Sequence, residues 1–239
     1  MELAAPPLPL KDFCKDLEAF ETPRWAIEAL LSVELLTPSV VEPCNGTGAI
    51  SRVLAEHGYR VKAIDIVDWR EHLPPSQIKF VTDSVGDFLK SDIDLSGQTV
   101  FMNPPFSLAC EFVDRARALG ARKVVCFQRQ AWRESAGRRE WWSANKPARV
   151  WVCGARATCW RFDLLECQHI GGLEACPNFN LKNRGKPSGE GCSTCLGGVP
   201  TSHAFYVWEH GHPAAEICDA IYPEDTPKNI NLKKETENV

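Results

Sequence analysis

Short apolar runs alternate with amphipathic stretches along most of the chain. The apolar runs predict seven strands, at residues 40–43, 60–66, 79–82, 98–102, 124–127, 150–153 and 203–209. Helical periodicity predicts helices at residues 23–36, 49–55 and 108–119, the first with Thr22 as its N-cap and Pro23 at its first position. This alternation favours an α/β fold, with a mostly parallel seven-stranded sheet and helices on both faces.

The periodic pattern stops between Cys153 and Pro200, where glycine, proline and cysteine dominate. We therefore expect one domain made of residues 1–152 and 200–224. A Cys-rich insertion at residues 153–199 precedes the last strand of that domain. The charged tail at residues 225–239 is expected to be disordered.

Composition narrows the class of protein. A chain of 239 residues with 44% hydrophobic residues can bury one sizeable core. It contains neither a recognisable signal peptide nor an apolar run of bilayer length, so we expect a cytoplasmic protein with no membrane contact. Its eleven cysteines then indicate reduced thiols and metal ligation rather than disulfides.

A turn with two glycines joins the first predicted strand to the helix that follows it. Its sequence is PCNGTG at residues 43–48, and the glycines permit a tight turn with close approach of a ligand to the backbone. The motif differs from the GxGxxG of dinucleotide binders, and Glu42 before it suits a cationic ligand. S-adenosylmethionine (SAM) carries an ammonium and a sulfonium group and is such a ligand.

Acidic residues follow the next two predicted strands. Asp65 ends the second strand, where a carboxylate can accept hydrogen bonds from ribose hydroxyls. Asp87 and Phe88 follow the third strand, with a carboxylate for an adenine amine and a ring for the adenine face. Asp83 is a rival for the carboxylate role.

The tetrapeptide Asn103-Pro104-Pro105-Phe106 directly follows the fourth predicted strand, at the edge where such folds bind ligands. An exocyclic amine conjugated to a ring is a poor nucleophile. Acceptors that bind its hydrogens draw the nitrogen toward a tetrahedral geometry with a freer lone pair. Asn103 Oδ1 and the Pro104 carbonyl can be these acceptors, held by the two prolines, and Phe106 can stack on the target ring.

Together these motifs resemble the DNA amino-methyltransferases, over most of residues 20–130. The resemblance implies a Rossmann-like methyltransferase fold, SAM as cofactor, and methyl transfer to N6 of adenine in double-stranded DNA after base flipping, in an enzyme typical of phages or mobile elements. The catalytic residues it implies are Asn103, Pro104, Pro105 and Phe106. The cofactor-binding residues it implies are Thr22, Pro23, Glu42, Pro43, Asn45, Gly46, Gly48, Asp65, Ile66, Asp87, Phe88 and Asn103.

Basic residues are concentrated after the catalytic loop. Residues 1–114 hold 9 basic and 18 acidic side chains, whereas residues 115–161 hold 12 basic and 2 acidic ones, interleaved with tryptophans. This segment predicts contact with a nucleic-acid backbone, although solvated helix faces over core tryptophans would give the same composition. The residues assigned to nucleic acid are Arg129, Arg133, Arg138 and Arg139.

The insertion offers a set of metal ligands. One CxxC pair and two further cysteines could form a tetrahedral structural zinc site, although the spacing is not that of a standard finger. The proposed ligands are Cys167, Cys176, Cys192 and Cys195. The alternative is that these cysteines are ordinary buried residues without metal.

Several other activities stay open at this point. Cytosine N4 is a rival target, whereas cytosine C5 is disfavoured because Cys44 lies in the glycine turn and not on a catalytic loop. An N-P-P-aromatic loop also serves methyltransferases of RNA and of protein glutamine, which usually carry tyrosine where this chain has Phe106. A non-catalytic, zinc-containing nucleic-acid-binding module is the alternative from a different class.

Overall fold

The computed structural model describes residues 9–162, 165, 201–212 and 217–223. The strands in this part of the chain are β1 Phe20–Glu21, β2 Ser39–Glu42, β3 Arg60–Asp65, β4 Ser84–Val85, β5 Thr99–Met102, β6 Lys123–Arg129, β7 Arg149–Cys153, β8 Trp160–Arg161, β9 His203–Glu209 and β10 Ile217–Ile221. The α-helices are α1 Leu10–Asp16, α2 Arg24–Val33, α3 Ala49–Glu56, α4 Ala109–Ala118 and α5 Arg139–Ala144. Short 3-10 helices occupy Trp69–Glu71, Pro75–Gln77, Phe88–Lys90, Gln130–Glu134 and Ala136–Arg138.

Eight strands form the main sheet, in the order β4-β3-β2-β5-β6-β9-β7-β10. All neighbouring strands from β4 to β6 in this order are parallel, while β9 runs antiparallel between β6 and β7. The strands β1 and β8 form a separate antiparallel pair. The order reverses between β2 and β5, and ligands of α/β sheets bind at such a switch point, beyond the carboxyl ends of the strands.

Helices cover both faces of this sheet because successive residues of each strand point to opposite sides. Val41 and Val100 pack with the buried residues of α4, whereas the adjacent Val40 and Phe101 pack with those of α2 and α3. Each strand is therefore apolar on both faces, as expected for a sheet covered on both sides. The expected α/β class, with a mostly parallel sheet, is confirmed.

Two of the predicted elements differ in detail. The main sheet has eight strands rather than seven, because Ile217–Ile221 adds β10 parallel to β7. The strand predicted at residues 79–82 is wrong: the backbone N–H groups of Lys79 and Phe80 donate to Thr47 O in the glycine turn, and the third strand forms later, at Ser84–Val85. The apolar run therefore supports the turn instead of extending the sheet.

The start of α2 also differs from the prediction. The N-cap is Pro23, with extended backbone angles, and the side chain of Thr22 makes no capping hydrogen bond. The Thr22 hydroxyl instead accepts a hydrogen bond from Asn103 Nδ2 at 2.9 Å. Thr22 was therefore wrongly assigned as a cap because its hydroxyl has a partner 81 residues away, which local sequence cannot reveal.

None of the helices in the described ranges is both long and apolar enough to cross a lipid bilayer.

Candidate active site

A cavity opens at the carboxyl ends of β2, β3 and β5, at the switch point of the sheet. It is lined by Leu17, Glu18, Ala19, Phe20, Pro43, Cys44, Gly46, Asp65, Ile66, Trp69, Gly86, Asp87, Phe88, Leu89, Asn103, Pro105, Leu108, Phe112 and Phe162. The predicted cofactor residues on this wall are Pro43, Gly46, Asp65, Ile66, Asp87, Phe88 and Asn103. The predicted residues that are not part of the lining are Thr22, Pro23, Glu42, Asn45 and Gly48.

The glycine turn is held in a conformation that larger residues would disrupt. Gly46 and Gly48 have φ angles of 55° and 82°, in the left-handed region that favours glycine. A Cβ atom on Gly46 would lie 2.4 Å from the Phe162 ring, and one on Gly48 would lie 2.4 Å from Phe80. The turn is therefore packed tightly from both sides, and Gly46 brings bare backbone to the cavity wall.

Asp65, the last residue of β3, connects that strand to the glycine turn. Its carboxylate accepts hydrogen bonds from the backbone N–H of Gly46 at 2.7 Å and from that of Val67 at 2.9 Å. Burial raises the pKa of Asp65, and the two N–H donors counteract part of that effect. A carboxylate has about four lone-pair sites, so Asp65 keeps acceptor capacity for hydroxyls of a ligand.

Asp87 and Phe88 lie together on the wall of the cavity. Asp87 accepts from Leu89 N at 3.0 Å, and its hydrogen bond with Lys90 keeps the pKa of the carboxyl below its usual value. Phe88 is buried and stacks on Phe112 with ring centroids 5.7 Å apart. The rival Asp83 is absent from the lining, and its carboxylate accepts from the backbone N–H of Ala63 at 2.7 Å.

The chemistry of this cavity fits SAM. Glu18, Asp65 and Asp87 are the ionisable carboxylates of the lining, which contains no lysine, arginine or histidine among the described residues. A cationic ligand is therefore favoured over a phosphate-bearing one. Ile66, whose exposed fraction is 57%, supplies apolar surface for a nucleoside, whereas the Phe88 ring is buried against Phe112.

Glu42 and Asn45 contribute to the site from behind the cavity wall. Glu42 is buried, and its carboxylate accepts from the backbone N–H of Ser51 at 2.8 Å and from the Ser51 hydroxyl, which ties β2 to α3. Burial raises the pKa of Glu42 well above its usual value. Asn45 donates from Nδ2 to Phe80 O and to the Thr82 hydroxyl.

The side-chain amide of Asn103 has a fixed orientation. Its Nδ2 donates to Phe20 O at 3.2 Å and to Thr22 Oγ1 at 2.9 Å. Because a backbone carbonyl can only accept, the nitrogen of the amide must face Phe20, and Oδ1 must face the other way. Among the described residues, the hydrogen bonds of the Asn103 side chain are those of Nδ2, which leaves Oδ1 to accept from a substrate.

Pro104 and Phe106 of the predicted catalytic loop contact β6 and β1. Gln128 Nε2 donates to Pro104 O at 3.2 Å. The Phe106 ring stacks on Phe20 with centroids 5.7 Å apart, and the Arg129 guanidinium carbon lies 4.1 Å from its centroid. Phe106 therefore already has two partners, and stacking on a target ring requires one of them to give way.

The basic segment divides into two groups. Lys123 and Arg149, at the amino ends of β6 and β7, form ion pairs with the buried carboxylate of Glu34. In contrast, Arg129, Arg138 and Arg139 have no ion pair with a carboxylate of the described residues. Arg129 is the last residue of β6, and Arg138 and Arg139 come after that strand, at the edge that holds the predicted catalytic loop. Arg133 is exposed there, 5.0 Å above the Trp142 ring.

The tryptophans of this segment are mainly core residues. Trp132 and Trp142 are buried, with ring centroids 4.7 Å apart, and both pack against Tyr206. Trp151 donates from Nε1 to Glu34. The abundance of tryptophan in this segment therefore mainly reflects core packing. The prediction of nucleic-acid binding rests on the basic residues around these tryptophans.

The cysteines fall into two sets. Burial raises the pKa of Cys44 well above its usual value, so the thiol stays protonated and packs as expected. The proposed zinc ligands Cys167, Cys176, Cys192 and Cys195 lie outside the described residues, so the zinc site stays a prediction. Within the described ranges, no group of three or more histidine, cysteine or acidic side chains could hold a metal ion.

Two parts of the cavity were not predicted from the sequence. The segment before Thr22 supplies Leu17, Glu18, Ala19 and Phe20, and the Glu18 carboxylate accepts from Ser107 N and Ser107 Oγ at 2.9 and 2.7 Å. On the other side, Phe162 packs edge-on against Trp69, at a centroid distance of 4.8 Å. The amphipathic sequence of residues 10–20 could have signalled the first contribution, but no local pattern signals the second.

Several known proteins are similar to parts of this chain. No family model matches the chain. The release factor glutamine methyltransferase of Streptomyces coelicolor is 34% identical over 91 residues, which cover 34% of the chain and 31% of that protein. Among solved structures, a predicted O-methyltransferase, Atu636 from Agrobacterium tumefaciens, is 12% identical with a TM-score of 0.47, over 82% of the chain and 85% of that protein. The type IIG restriction endonuclease BpuSI is also 12% identical, with a TM-score of 0.48, over 93% of the chain and 28% of that protein.

The chain spans about a third of the length of the release factor glutamine methyltransferase that it matches. The fold itself is clear from the sheet, because β9 runs antiparallel between β6 and β7 and the glycine turn follows β2 at the switch point. This chain therefore has a Rossmann-like methyltransferase fold.

Proposed function

We propose that this protein is a SAM-dependent methyltransferase that methylates the exocyclic N6 of adenine in DNA. The observation that carries the proposal is the orientation of Asn103 at the edge of the carboxylate-lined cavity. Both hydrogens of its amide are bound by Phe20 O and Thr22 Oγ1, so the side chain presents only an acceptor. An acceptor in that place suits a target that brings N–H groups, as an exocyclic amine does.

The residues of the catalytic loop activate the target by accepting its hydrogens. Asn103 Oδ1 and the Pro104 carbonyl each bind one N–H of the amine, which shifts its nitrogen lone pair out of conjugation with the ring. SAM held in the carboxylate-lined cavity would supply the methyl group from its sulfonium: the S–CH3 bond would break as the N–CH3 bond formed, and the surplus amine proton would pass to water. Because both acceptors are held before the target arrives, little reorganisation is needed during transfer.

The distribution of cations supports DNA as the substrate. The arginines without a described ion pair follow β6 at the edge of the sheet that holds Asn103, where a phosphate backbone would lie when a base reaches the catalytic loop. Inside a duplex the adenine amine is inaccessible, so the nucleotide must be flipped out of the stack at a cost of a few kcal/mol. Stacking on Phe106 offsets part of this cost.

A glutamine amide of a protein is the second candidate target. The observation that favours it is the similarity to a release factor glutamine methyltransferase over 91 residues. A primary amide also presents N–H groups to Asn103 Oδ1 and Pro104 O, so the acceptors alone do not distinguish the two substrates. Adenine in RNA is a third candidate target, because it carries the same exocyclic amine.

Methyl transfer from labelled SAM tests the proposal. The purified full chain is incubated with unmethylated DNA, with RNA, and with a mixture of release factors, and the products are hydrolysed and analysed. We expect N6-methyladenine from the DNA sample. Label found on glutamine or in RNA alone would replace the proposed substrate, and the absence of transfer to all three would overturn the proposed activity.

A further inference from the structure

The side chain of Gln128 connects the core of the sheet to the catalytic loop. Gln128 lies in β6, is 1% exposed, and donates from Nε2 to the carbonyl oxygen of Pro104 at 3.2 Å. The register of the sheet explains this contact. Met102 of β5 is paired with Cys126 of β6, and Pro104 and Gln128 each follow two residues later, so they lie side by side beyond the last pair.

The direction of the Pro104 carbonyl depends on one soft dihedral angle. Proline rings fix φ of Pro104 and of Pro105, and neither residue has an N–H group to bind a neighbour. The orientation of the peptide between them is then set by ψ of Pro104, which the following proline only restricts to a broad extended range. A hydrogen bond to the carbonyl oxygen itself fixes the rotation about ψ that this range still allows.

The bond to Gln128 still leaves the Pro104 carbonyl able to act on a substrate. A carbonyl oxygen has two lone pairs, and Gln128 Nε2 occupies one of them. The second lone pair is then held in a defined direction, in the same loop as Asn103 Oδ1. The two acceptors are therefore each oriented by a partner outside the loop, Asn103 by Thr22 and Phe20, and Pro104 by Gln128.

We propose that Gln128 is a positioning residue that aims the Pro104 carbonyl at the target amine. This inference rests on the proposed methyl transfer to a planar amine or amide, and it holds for each of the substrates considered above. The competing explanation is that the bond only satisfies a buried amide, which would otherwise be costly to bury. The two explanations differ in what happens to turnover when the protein remains folded.

The first test replaces Gln128 by methionine, which has similar volume and no donor. Gln128→Met is expected to lower kcat about tenfold to a hundredfold, as loss of a preorganised catalytic contact does, with the Kd for SAM unchanged. The control is Gln130→Met, two residues along, because the Gln130 side chain makes no hydrogen bond within the described ranges. Melting temperatures and SAM titrations of all variants establish that they are folded.

The second test restores the donor by pH. In Gln128→Glu the new carboxyl donates to Pro104 O only when it is protonated, so kcat relative to wild type is expected to rise as pH falls. A merely structural bond would change the melting temperature with pH and leave kcat of the folded enzyme unaffected. If Gln128→Met does not fold, the pH dependence of kcat in Gln128→Glu tests the role of Gln128 by itself.

The outcomes separate the two proposals. A kcat for Gln128→Met within threefold of wild type, or a pH profile for Gln128→Glu parallel to that of wild type, overturns the role of Gln128 and leaves the proposed function in place. A wild-type chain that binds SAM but methylates none of DNA, RNA and protein overturns both. Loss of kcat in Gln128→Met, together with its recovery at low pH in Gln128→Glu, supports the inference.

Discussion

The two sides of Asn103 differ in charge and in how they are closed. On the cofactor side, the cavity wall carries Glu18, Asp65 and Asp87 and no described basic side chain. The target side is the place proposed for the target ring next to Phe106, where Phe20, Phe106, Arg129, Cys159, Thr201 and His203 surround a much smaller cavity. The acidic wall of the cofactor side favours a positively charged ligand. The target side carries the positive charge of Arg129 and is already occupied by the packed Phe20 and Phe106 rings.

This difference indicates that the cofactor and the target require different amounts of side-chain rearrangement to bind. The carboxylate-lined cavity already presents Asp65 and Asp87 on its wall. The target side holds Arg129 over Phe106 and Phe20 against the same ring, so a planar target must displace at least one of them. Displacement of a cation by a substrate that carries phosphates is favourable, because the cation gains a new partner.

The largest expected effect on turnover is that of replacing Asn103, which lies between the cofactor side and the target side. Asn103→Ala removes one of the two acceptors for the target amine, so kcat is expected to fall about a thousandfold, the upper range for loss of a preorganised polar contact. SAM affinity, measured by titration calorimetry, should remain within a few fold of wild type. A fully active Asn103→Ala protein would remove the catalytic assignment, and a matched loss of SAM binding would place Asn103 on the cofactor side alone.

The second prediction concerns stability on the target side. His203 is 3% exposed and stacks on Phe127 at 4.9 Å, and its burial, together with the nearby Arg129 charge, lowers its pKa to about 4. The unfolded chain protonates this histidine near its usual pKa of about 6.5. As pH falls from about 6.5 to 4, the unfolded state therefore gains a proton that the folded state excludes, and stability falls.

The expected loss over this window is about 3 kcal/mol at most, from about 1.4 kcal/mol for each pH unit of the shift. Urea unfolding of wild type and of His203→Gln, which has no such proton, isolates this contribution from that of the carboxylates. The wild type should lose stability relative to the variant as pH is lowered. Parallel curves for the two proteins would show that His203 is protonated in the folded state.

The third prediction concerns the cofactor side. Asp65→Ala removes an acceptor for ligand hydroxyls and leaves the Gly46 N–H without its partner, so the Kd for SAM should rise about thirtyfold, or about 2 kcal/mol. Asp83→Ala is the matched control, because Asp83 also accepts from a backbone N–H and does not line the cavity. If both variants weaken SAM binding equally, the effect comes from the strands and not from the ligand.

The two sides also differ in how well sequence alone predicts them. Asp65, Asp87 and Asn103 lie at or just after the carboxyl ends of strands. Parallel strands end at one edge of a sheet, so the meeting of these residues follows from local pattern and topology. The contacts of Thr22 and Gln128 with the catalytic loop depend instead on tertiary packing and register, which hydrophobic periodicity does not record. The strand expected at residues 79–82 failed for the same reason, since that backbone binds the glycine turn.

The smallest expected effect concerns Arg129. In Arg129→Ala the cation over Phe106 is lost, so kcat/KM on DNA should fall about tenfold at low salt, and the slope of log affinity against log salt should decrease by about one. SAM binding should not change.

Arg122→Ala is the control, since Arg122 belongs to the same basic segment but lies at the opposite edge of the sheet, where its guanidinium donates to His210 O. An equal effect of both variants would mean that net charge alone attracts DNA. An unchanged salt slope in Arg129→Ala would mean that Arg129 acts on the Phe106 ring and contacts no phosphate.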